Sequence, residues 1–315
     1  MKTTRMKRAV VTGGTGFIGS HIADELVARG YQVSIIDDLS TGNKENIAAL
    51  LKQSNVEFIE GSIVDLSLLN KLVRGVDYVF HLAAIPSVPR SIKNPQASHE
   101  ANITGTLNML LAARDTGVKK VIYASSCAVY GDASALPIKE EMQPGPQSPY
   151  AVTKLAGEYY CQVFHRVYGL PTVCLRYFNV YGPRQNPDSQ YAAVIPIFIQ
   201  RVLNDKPPII FGDGKQTRDF TFIIDVVEAN ILAAESEAMG VFNIGRGQSI
   251  SITRLAELII GLAGNNVKPV HEEPRPGDIL HSLADISRAR SFGYEPSYNL
   301  EEGLRKTIAS FQHER

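Results

Sequence analysis

The sequence predicts an α/β fold built on a doubly wound parallel sheet, with a smaller C-terminal α/β region. Two patterns in its 315 residues carry this prediction: short β-branched or aromatic runs alternate with helix-length segments, and the runs are apolar throughout. Strands that are apolar on both faces are typical of a parallel sheet covered by helices on each side. A third observation, a cluster of glycines after the first run, indicates a tight turn from strand to helix.

The predicted elements alternate along the first 180 residues. The strand-like runs are RAVVTG (8–13), YQVSIIDD (31–38), VEFIEGSI (56–63), YVFHLAA (78–84), KKVIYASS (119–126) and TVCLRYFNVYG (172–182). Helices are predicted over 17–29, 99–116 and 150–168. After about residue 183 the chain becomes rich in Pro and Gly with fewer strands. We therefore predict a boundary near residue 180, with a return of the chain to the sheet around 220–246.

Composition narrows the classes of protein to which the chain can belong. Its 32 Lys and Arg residues balance 32 Asp and Glu residues, which argues against electrostatic binding to nucleic acid or to anionic lipid. No apolar run reaches the roughly 18–20 residues of a membrane span, and the N-terminus reads as a strand rather than a signal peptide. Three scattered cysteines lack metal-ligand spacing. We expect a cytoplasmic protein without a metal site.

The stretch AVVTGGTGFIGSH, residues 9–21, indicates a dinucleotide site of the Rossmann type. Gly13, Gly16 and Gly19 let the backbone approach a pyrophosphate, and the following helix N-terminus offers unsatisfied N–H groups to negative charge. Asp37 ends the next strand, where a carboxylate can accept bonds from both hydroxyls of an adenosine ribose and repel a 2′-phosphate. The pattern predicts NAD rather than NADP, and a glycine-rich turn without a ligand is the alternative.

Tyr150 and Lys154, in SPYAVTK, stand four residues apart and so share one face of a helix. A phenol has a reference pKa of about 10 and is a poor base at neutral pH. A neighbouring ammonium and a positive nicotinamide ring would favour the phenolate and lower that pKa. The pair predicts Tyr150 as general base for a hydroxyl whose carbon gives up a hydride. A partly buried tyrosine beside a solvated lysine is the structural alternative.

The motif YASSCAVYG carries Ser125 and Ser126 to the carboxyl edge of the sheet, where ligands bind in open α/β folds. Further motifs follow the same order as in known sugar-nucleotide enzymes: TGGTGFIGSH, IDDLSTG, HLAA, SPYAVTK, RYFNVYGPRQ, FGDGKQTRDF and RPGD. Together they cover essentially the whole chain, which resembles the extended short-chain dehydrogenase/reductase family, in its UDP-glucose 4-epimerase and UDP-N-acetylglucosamine 4-epimerase branch. The resemblance implies a Rossmann NAD-binding domain over 1–180 and a mainly nucleotide-sugar-binding region over 181–315.

The resemblance also implies roles for individual residues. The implied catalytic residues are Ser126, Tyr150 and Lys154, with Ser126 bonding the reacting oxygen and relaying its proton to Tyr150. The implied NAD-binding residues are Gly13, Gly16, Phe17, Ile18, Gly19, Asp37, Asp38, Ser40, Gly42, Ile63, Asp65, Ala83, Ala84, Asn102, Tyr150 and Lys154. The implied binding residues for the UDP-sugar are Ser87, Ser126, Tyr150, Asn179, Ala193, Val194, Arg218, Arg275, Asp278 and Ser282. His81 is interpreted as a structural histidine.

Two residues help to choose among the reactions of the family. Nucleotide-sugar dehydratases carry an Asp-Glu pair, and uronate decarboxylases a Glu, just after the catalytic hydroxyl residue. Here those positions are Cys127 and Ala128, which supply no carboxyl group for an elimination, so 4-epimerisation of a UDP-hexose is predicted. Alternatives are another nucleotide-sugar epimerase/reductase or dehydratase of the same family, and a non-catalytic NAD sensor. A GDP-sugar epimerase/reductase would use NADPH, which Asp37 opposes.

The choice of sugar depends on a few positions in the second region. A bulky tyrosine at the place of Ser282 restricts N-acetyl sugars in the family, so the serine predicts that UDP-GlcNAc and UDP-GalNAc are accepted beside UDP-Glc and UDP-Gal. Ala193 and Val194, and Ser87 in PSVPRS, depart from the strict glucose/galactose pattern in the same direction. The resemblance further implies a homodimer formed by the helices at 99–116 and 150–168.

Overall fold

A computed structural model of the protein describes residues 5–187, 193–274 and 279–313. Its strands are β1 (Arg8–Thr12), β2 (Gln32–Asp37), β3 (Val56–Glu60), β4 (Tyr78–His81), β5 (Lys120–Ser126), β6 (Thr172–Tyr177), β7 (Val180–Tyr181), β8 (Ile209–Phe211), β9 (Thr217–Asp219), β10 (Thr221–Phe222), β11 (Gly240–Ile244), β12 (Ser249–Ser251) and β13 (Val270–Glu272). Seven of these strands form one parallel sheet in the order β11–β6–β5–β4–β1–β2–β3. The predicted fold class is confirmed.

The helices are α1 (Phe17–Ala28), α2 (Leu66–Leu72), α3 (Val88–Lys93), α4 (Pro95–His99), α5 (Gly105–Thr116), α6 (Pro149–Tyr168), α7 (Val194–Leu203), α8 (Ile223–Glu235), α9 (Ile252–Leu262), α10 (Ser287–Arg290) and α11 (Leu300–His313). A π-helical turn over Glu100–Thr104 joins α4 to α5. None of the helices in the described ranges has the length and hydropathy that a membrane span requires.

Alternating side chains of the central strands enter two cores, one on each face of the sheet. On β1, Ala9 and Val11 pack into the core beneath α1 and α8, whereas Val10 packs into the core beneath α2, α5 and α6. This alternation follows from the two-residue repeat of a strand. Because both faces are covered, β1 is buried from Ala9 to Thr12, which explains its unbroken apolar sequence.

The direction of winding reverses between β1 and β4, which are neighbours at the centre of the sheet. The carboxyl ends of adjacent strands leave a crevice at such a reversal, and ligands of open α/β sheets bind there. Both cavities described below lie at the carboxyl ends of the strands or beyond them. The order of the strands therefore positions the site.

The observed elements differ from the predicted ones in two places. The run 172–182 is broken, because Asn179 adopts a positive φ of 35° and separates β6 from the short β7. The C-terminal region is also more helical than its Pro and Gly content indicated, with α7, α8, α9 and α11 all longer than two turns. Beyond α8, which packs on α1, β11 pairs with β6 as the edge of the sheet.

Candidate active site

The glycine-rich turn between β1 and α1 packs tightly against its neighbours. Gly13 has a positive φ of 66°, and a Cβ there would lie 2.8 Å from the Ala83 backbone. A Cβ on Gly19 would lie 2.3 Å from the Gly13 carbonyl oxygen. Gly16 caps α1 without a side chain, so the first N–H groups of the helix remain available to an anion. These contacts require glycine at positions 13 and 19 of the motif.

Asp37 lies at the end of β2 and is 8% exposed. One carboxylate oxygen accepts the Thr15 N–H at 3.1 Å and the other accepts the Leu39 N–H at 2.9 Å. Each oxygen keeps a further lone pair, so the carboxylate can still accept bonds from two ribose hydroxyls. Gly42 covers it closely, since a Cβ there would lie 3.1 Å from both carboxylate oxygens.

A cavity of about 330 Å³ runs from this carboxylate to helix α6. Most of the predicted cofactor residues line it: Gly13, Gly16, Phe17, Ile18, Gly19, Asp37, Asp38, Ser40, Ile63, Ala83, Ala84, Tyr150 and Lys154. The close-packed glycines, the helix N-terminus and the acceptor carboxylate fit a dinucleotide. The predicted residues Gly42, Asp65 and Asn102 are not on its wall.

Asp65 and Asn102 have structural contacts instead. Asp65 caps α2 by accepting the Leu68 N–H at 2.9 Å. The Asn102 amide is 1% exposed, accepts the Ile85 N–H at 2.7 Å and donates to the Thr153 hydroxyl at 2.9 Å. Asn102 therefore ties the cavity wall at Ile85 to α6. The expected direct contact of these two side chains with NAD is not favoured by this geometry.

His81 is buried at the end of β4, between the hydroxyls of Thr12 and Thr106 at 2.8 and 3.0 Å. Thr106 already donates to the Asn102 carbonyl, so it accepts from Nε2–H, and Thr12 donates to Nδ1. Burial, with a smaller effect of Lys154, lowers the pKa of His81 to about 3. The imidazole is neutral and holds β1, β4 and α5 together.

Helix α6 begins with Pro149 after the cap residue Ser148. Tyr150 is half-buried, and its N–H donates to the Ser91 hydroxyl at 3.0 Å. One turn later, Lys154 is 4% exposed and its ammonium donates to the Ala124 carbonyl on β5 at 2.8 Å. Ser126, at the end of β5, lies near enough to Tyr150 to lower the pKa of its phenol. The predicted serine, tyrosine and lysine therefore meet at one end of the cavity.

Burial opposes the lower Tyr150 pKa that the sequence predicts for a site holding both the Lys154 ammonium and a positive nicotinamide ring. Burial raises the pKa of Tyr150 to about 12, and Ser126 opposes the rise only in part. The Lys154 nitrogen lies 6.0 Å from the centroid of the Tyr150 ring and is engaged by Ala124. Burial also lowers the pKa of Lys154 to about 8. Both shifts have the same physical cause, the cost of charge in a desolvated site.

Cys127 follows Ser126 and is half-buried. The backbone of Asn179 and the charge of Arg218 lower the pKa of its thiol, but less than burial raises it. Burial raises the pKa of Cys127 to about 11, so the group is a neutral thiol at neutral pH. A thiolate nucleophile is not available at this position.

A second cavity of about 380 Å³ is lined by residues of α7 and of the strands β8 and β9. Four predicted substrate residues line it: Asn179, Ala193, Val194 and Arg218. Its remaining wall is largely apolar, with Phe198, Phe211, Phe220 and Ile252 among the lining residues. An aromatic and aliphatic slot with a guanidinium and an amide suits a nucleobase joined to a diphosphate.

Asp219 supports the loops around this second cavity, and its only sequence signal is its place beside Arg218. Its carboxylate is 0% exposed and accepts the N–H groups of Arg246, Gly247 and Ala284 at 2.9, 2.9 and 3.1 Å. Its carbonyl accepts the Asn179 amide at 2.9 Å. Burial raises the pKa of Asp219 to about 6 despite these bonds. Asp219 thus joins three loops around the pocket.

The remaining predicted substrate residues lie elsewhere. Ser87 caps α3 by accepting the Arg90 N–H at 3.2 Å. Ser282 is 6% exposed, its N–H donates to the Thr217 carbonyl, and its hydroxyl has no hydrogen-bond partner within the described part of the chain. Arg275 and Asp278 lie outside the described residues.

The fold and this site together define a dinucleotide-dependent enzyme of the short-chain dehydrogenase/reductase class. A sequence model of the NAD dependent epimerase/dehydratase family matches residues 9–245. The chain is 40% identical over 310 residues to the UDP-glucose 4-epimerase of Mycolicibacterium smegmatis, with 97% of this chain and 99% of that protein covered. It is 38% identical over 320 residues to the UDP-N-acetyl-alpha-D-glucosaminuronate decarboxylase of Bacillus cytotoxicus, with 97% and 98% covered.

Among solved structures, the fold is similar to a UDP-N-acetylglucosamine 4-epimerase from Methanobrevibacter ruminantium M1 in complex with UDP-N-acetylmuramic acid. The TM-score is 0.96 at 44% identity, covering 99% of this chain and 100% of that chain. The chain therefore belongs to the NAD-dependent epimerase/dehydratase family, in its extended short-chain dehydrogenase/reductase branch, and its cofactor is NAD. The predictions of family and cofactor are confirmed.

Proposed function

We propose that this enzyme interconverts the C4 epimers of a UDP-hexose through a transient 4-keto sugar. The observation that carries the proposal is the placing of Tyr150 and Lys154 on the wall of the NAD cavity, with Ser126 at the end of the strand that binds Lys154. When bound, NAD would supply an oxidised ring able to accept a hydride from a carbinol carbon and to return it. Binding roles for the individual side chains are part of this proposal.

Tyr150 and Ser126 handle the proton in this mechanism. The Tyr150 phenolate takes the proton of the sugar 4-hydroxyl, directly or through the neighbouring Ser126 hydroxyl, and the phenol returns it when the 4-keto group is reduced. With a pKa raised to about 12 by burial, the phenol alone is a poor base, so its ionisation depends on positive charge within the site. Lys154 provides such a charge from the same helix face. Its ammonium also holds β5 at Ala124.

The nucleotide must carry most of the binding energy, because the keto sugar has to present both faces to the cofactor. Arg218 and Asn179 line the second cavity and are placed to bind a diphosphate, whereas the aromatic wall accepts a base. Asp219 fixes the loops that hold both side chains. The hexose is then free to turn near Cys127, a small neutral group.

An elimination or decarboxylation reaction has less support. Among the described residues that line the NAD cavity, the carboxyl groups are those of Asp37 and Asp38. Asp37 ends β2 and Asp38 follows it, whereas Ser126 ends β5. Cys127 and Ala128 occupy the positions where a second acid or base is needed, and the Cys127 thiol stays protonated. Redox at one carbinol needs no further acid or base.

We further propose that N-acetylated and unmodified hexoses are both substrates. Ser282 keeps a small side chain beside Thr217, which precedes Arg218 on β9. The similar solved structure in complex with UDP-N-acetylmuramic acid supports a site of that breadth. Ser87, which caps α3, is another position where the sequence departs from the strict glucose/galactose pattern.

The protein is also proposed to form a homodimer through α5 and α6. Four of the large exposed apolar side chains on α6 form one row: Val152, Tyr159, Val163 and Val167, at 49%, 54%, 47% and 62%. They follow one another at intervals of seven, four and four residues, so they lie on one face of the helix. An apolar face of this kind is typical of an interface between copies.

Turnover of separate UDP-Glc and UDP-GlcNAc samples tests the proposed function. We expect NMR to show the C4 epimer of each sugar with no net formation of NADH. The variant Tyr150→Phe should retain bound NAD but lose about 10²–10⁴-fold in kcat. Stoichiometric consumption of NAD would replace epimerisation by dehydrogenation, and release of CO₂ from a UDP-uronate would assign the chain to the decarboxylases.

A further inference from the structure

A buried ion pair lies behind the catalytic group and takes no part in the mechanism above. Glu158 is 0% exposed on α6, and Arg176 is 4% exposed on β6. The Arg176 guanidinium donates to both oxygens of Glu158, at 2.8 and 2.6 Å. Charges buried to this degree are costly to desolvate, so a buried pair is weak support for stability alone. The position of the pair indicates a role in the site instead.

The position of Glu158 on the helix points to the site. Tyr150, Lys154 and Glu158 follow one another at intervals of four residues, so they form one row along α6. Residues at this spacing have Cβ atoms about 5–6 Å apart. The carboxylate is thus the next charged group along the row from the ammonium.

Consecutive residues of strand β5 contact the members of this row. The Ala124 carbonyl accepts from Lys154, and the Ser125 hydroxyl donates to Glu158. Two neighbouring residues of the strand therefore fix Lys154 and Glu158, and Ser126 comes next to them at the Tyr150 end of the row. This arrangement holds Glu158 at a set distance from Lys154.

We propose that Glu158 is a positioning residue whose carboxylate keeps Lys154 in its charged ammonium form beside Tyr150. The inference rests on the proposed function, because that charge matters to the reaction only if Tyr150 is the base. Opposite charge a short distance away favours the ionised form of a group. Without the carboxylate, the Arg176 cation would remain and would oppose the ammonium.

The other charged groups around Lys154 do not supply this effect. His81 on β4 is neutral, because burial holds its pKa near 3, and Tyr123 on β5 and Tyr150 on α6 are phenols whose pKa values burial raises. Burial lowers the pKa of Lys154 to about 8, and the charge of Glu158 opposes that change. The elements packed against α6 also carry these charged or titratable residues: Arg90, Lys93, His99, Glu100, Arg114, Asp115, Lys120, Cys127, Tyr130, Cys174 and Tyr177.

The test measures the charge of Lys154 directly in the NAD-bound enzyme. Lysine labelled with ¹³C and ¹⁵N at its terminus reports the titration by NMR, and Lys154→Met assigns the signal. In Glu158→Gln we expect the titration to move down by about one pH unit. The basic limb of the kcat profile should move down with it, since activity falls as pH rises through the pKa of Lys154.

The matched variant Glu158→Asp separates charge from shape. It shortens the side chain but keeps the carboxylate, so the Lys154 titration should stay close to that of the native enzyme. A purely structural role predicts the reverse ranking, because glutamine is the closer isostere. An unchanged titration in a folded Glu158→Gln variant would overturn the proposal.

Two outcomes keep the inference separate from the proposed function. If the NMR titration moves but the activity profile does not, Glu158 still sets the charge of Lys154 and the proposed base is wrong. If Glu158→Gln does not fold, the variant Glu158→Gln with Arg176→Met removes both buried charges, a change that proteins often tolerate. Its Lys154 titration should still lie below the native one, and equality would refute the proposal.

Discussion

At the scale of single residues, burial rather than charge pairing dominates the electrostatics of the site. Tyr150, Lys154, Cys127 and His81 all have pKa values moved toward their neutral forms, to about 12, 8, 11 and 3. The sequence indicated the identity of these residues but not this environment, because desolvation depends on what packs around a group. For the same reason, the structural role of Asp219 was not predicted, since its three backbone donors come from segments distant in sequence.

Ser282 offers a test of sugar choice at this scale. Replacing it with tyrosine should reduce kcat/KM for UDP-GlcNAc by about tenfold or more, and leave UDP-Glc nearly unchanged, because the larger ring takes the space of an acetamido group. Steady-state kinetics with both sugars measures the ratio. Ser291→Tyr, at an exposed serine, is the control and should alter neither value. An equal loss on both sugars would count against Ser282 as the determinant.

At the scale of elements, the strands of the first half were predicted closely because their apolar runs are unbroken. The predicted helix at 150–168 is observed as Pro149–Tyr168, and that at 17–29 as Phe17–Ala28. The helix predicted over 99–116 is part of a longer helical segment that starts at Pro95 and contains a π turn. The short strands β7 to β10, by contrast, depend on pairing between distant segments and a positive φ at Asn179, which no local pattern contains.

The turn between β1 and α1 is the element with the least tolerance for change. Gly19→Ala would place a methyl group 2.3 Å from the Gly13 carbonyl, so we expect a loss of about 2 kcal/mol in the free energy of unfolding and weaker NAD binding. Gly261 in α9 is the matched control, because its Cβ would meet nothing within 4 Å. Gly261→Ala should gain up to about 1 kcal/mol. Denaturant titration and calorimetry with NAD would reveal the contrast, and equal effects would contradict it.

At the scale of the whole molecule, the exposed face of α6 connects the catalytic helix to the proposed dimer. Val163→Glu puts a charge at the centre of the apolar row, so light scattering should report a monomer where the native protein gives a dimer. Met239→Glu, at a residue that is also exposed at 42%, should leave the dimer intact. A dimer that persists in Val163→Glu would place the interface on another face.

The late entry of β11 into the sheet has a consequence for synthesis of the chain. β11 pairs with β6 in register from Gly240↔Val173 to Ile244↔Tyr177. During synthesis, β6 gains its second neighbour only after residue 244 has left the ribosome. Until then, the backbone N–H and C=O groups along the free edge of β6 are unpaired. Such edges pair with strands of other chains. A product of premature termination near residue 180 should therefore aggregate or be held by chaperones, instead of persisting as a free NAD-binding fragment.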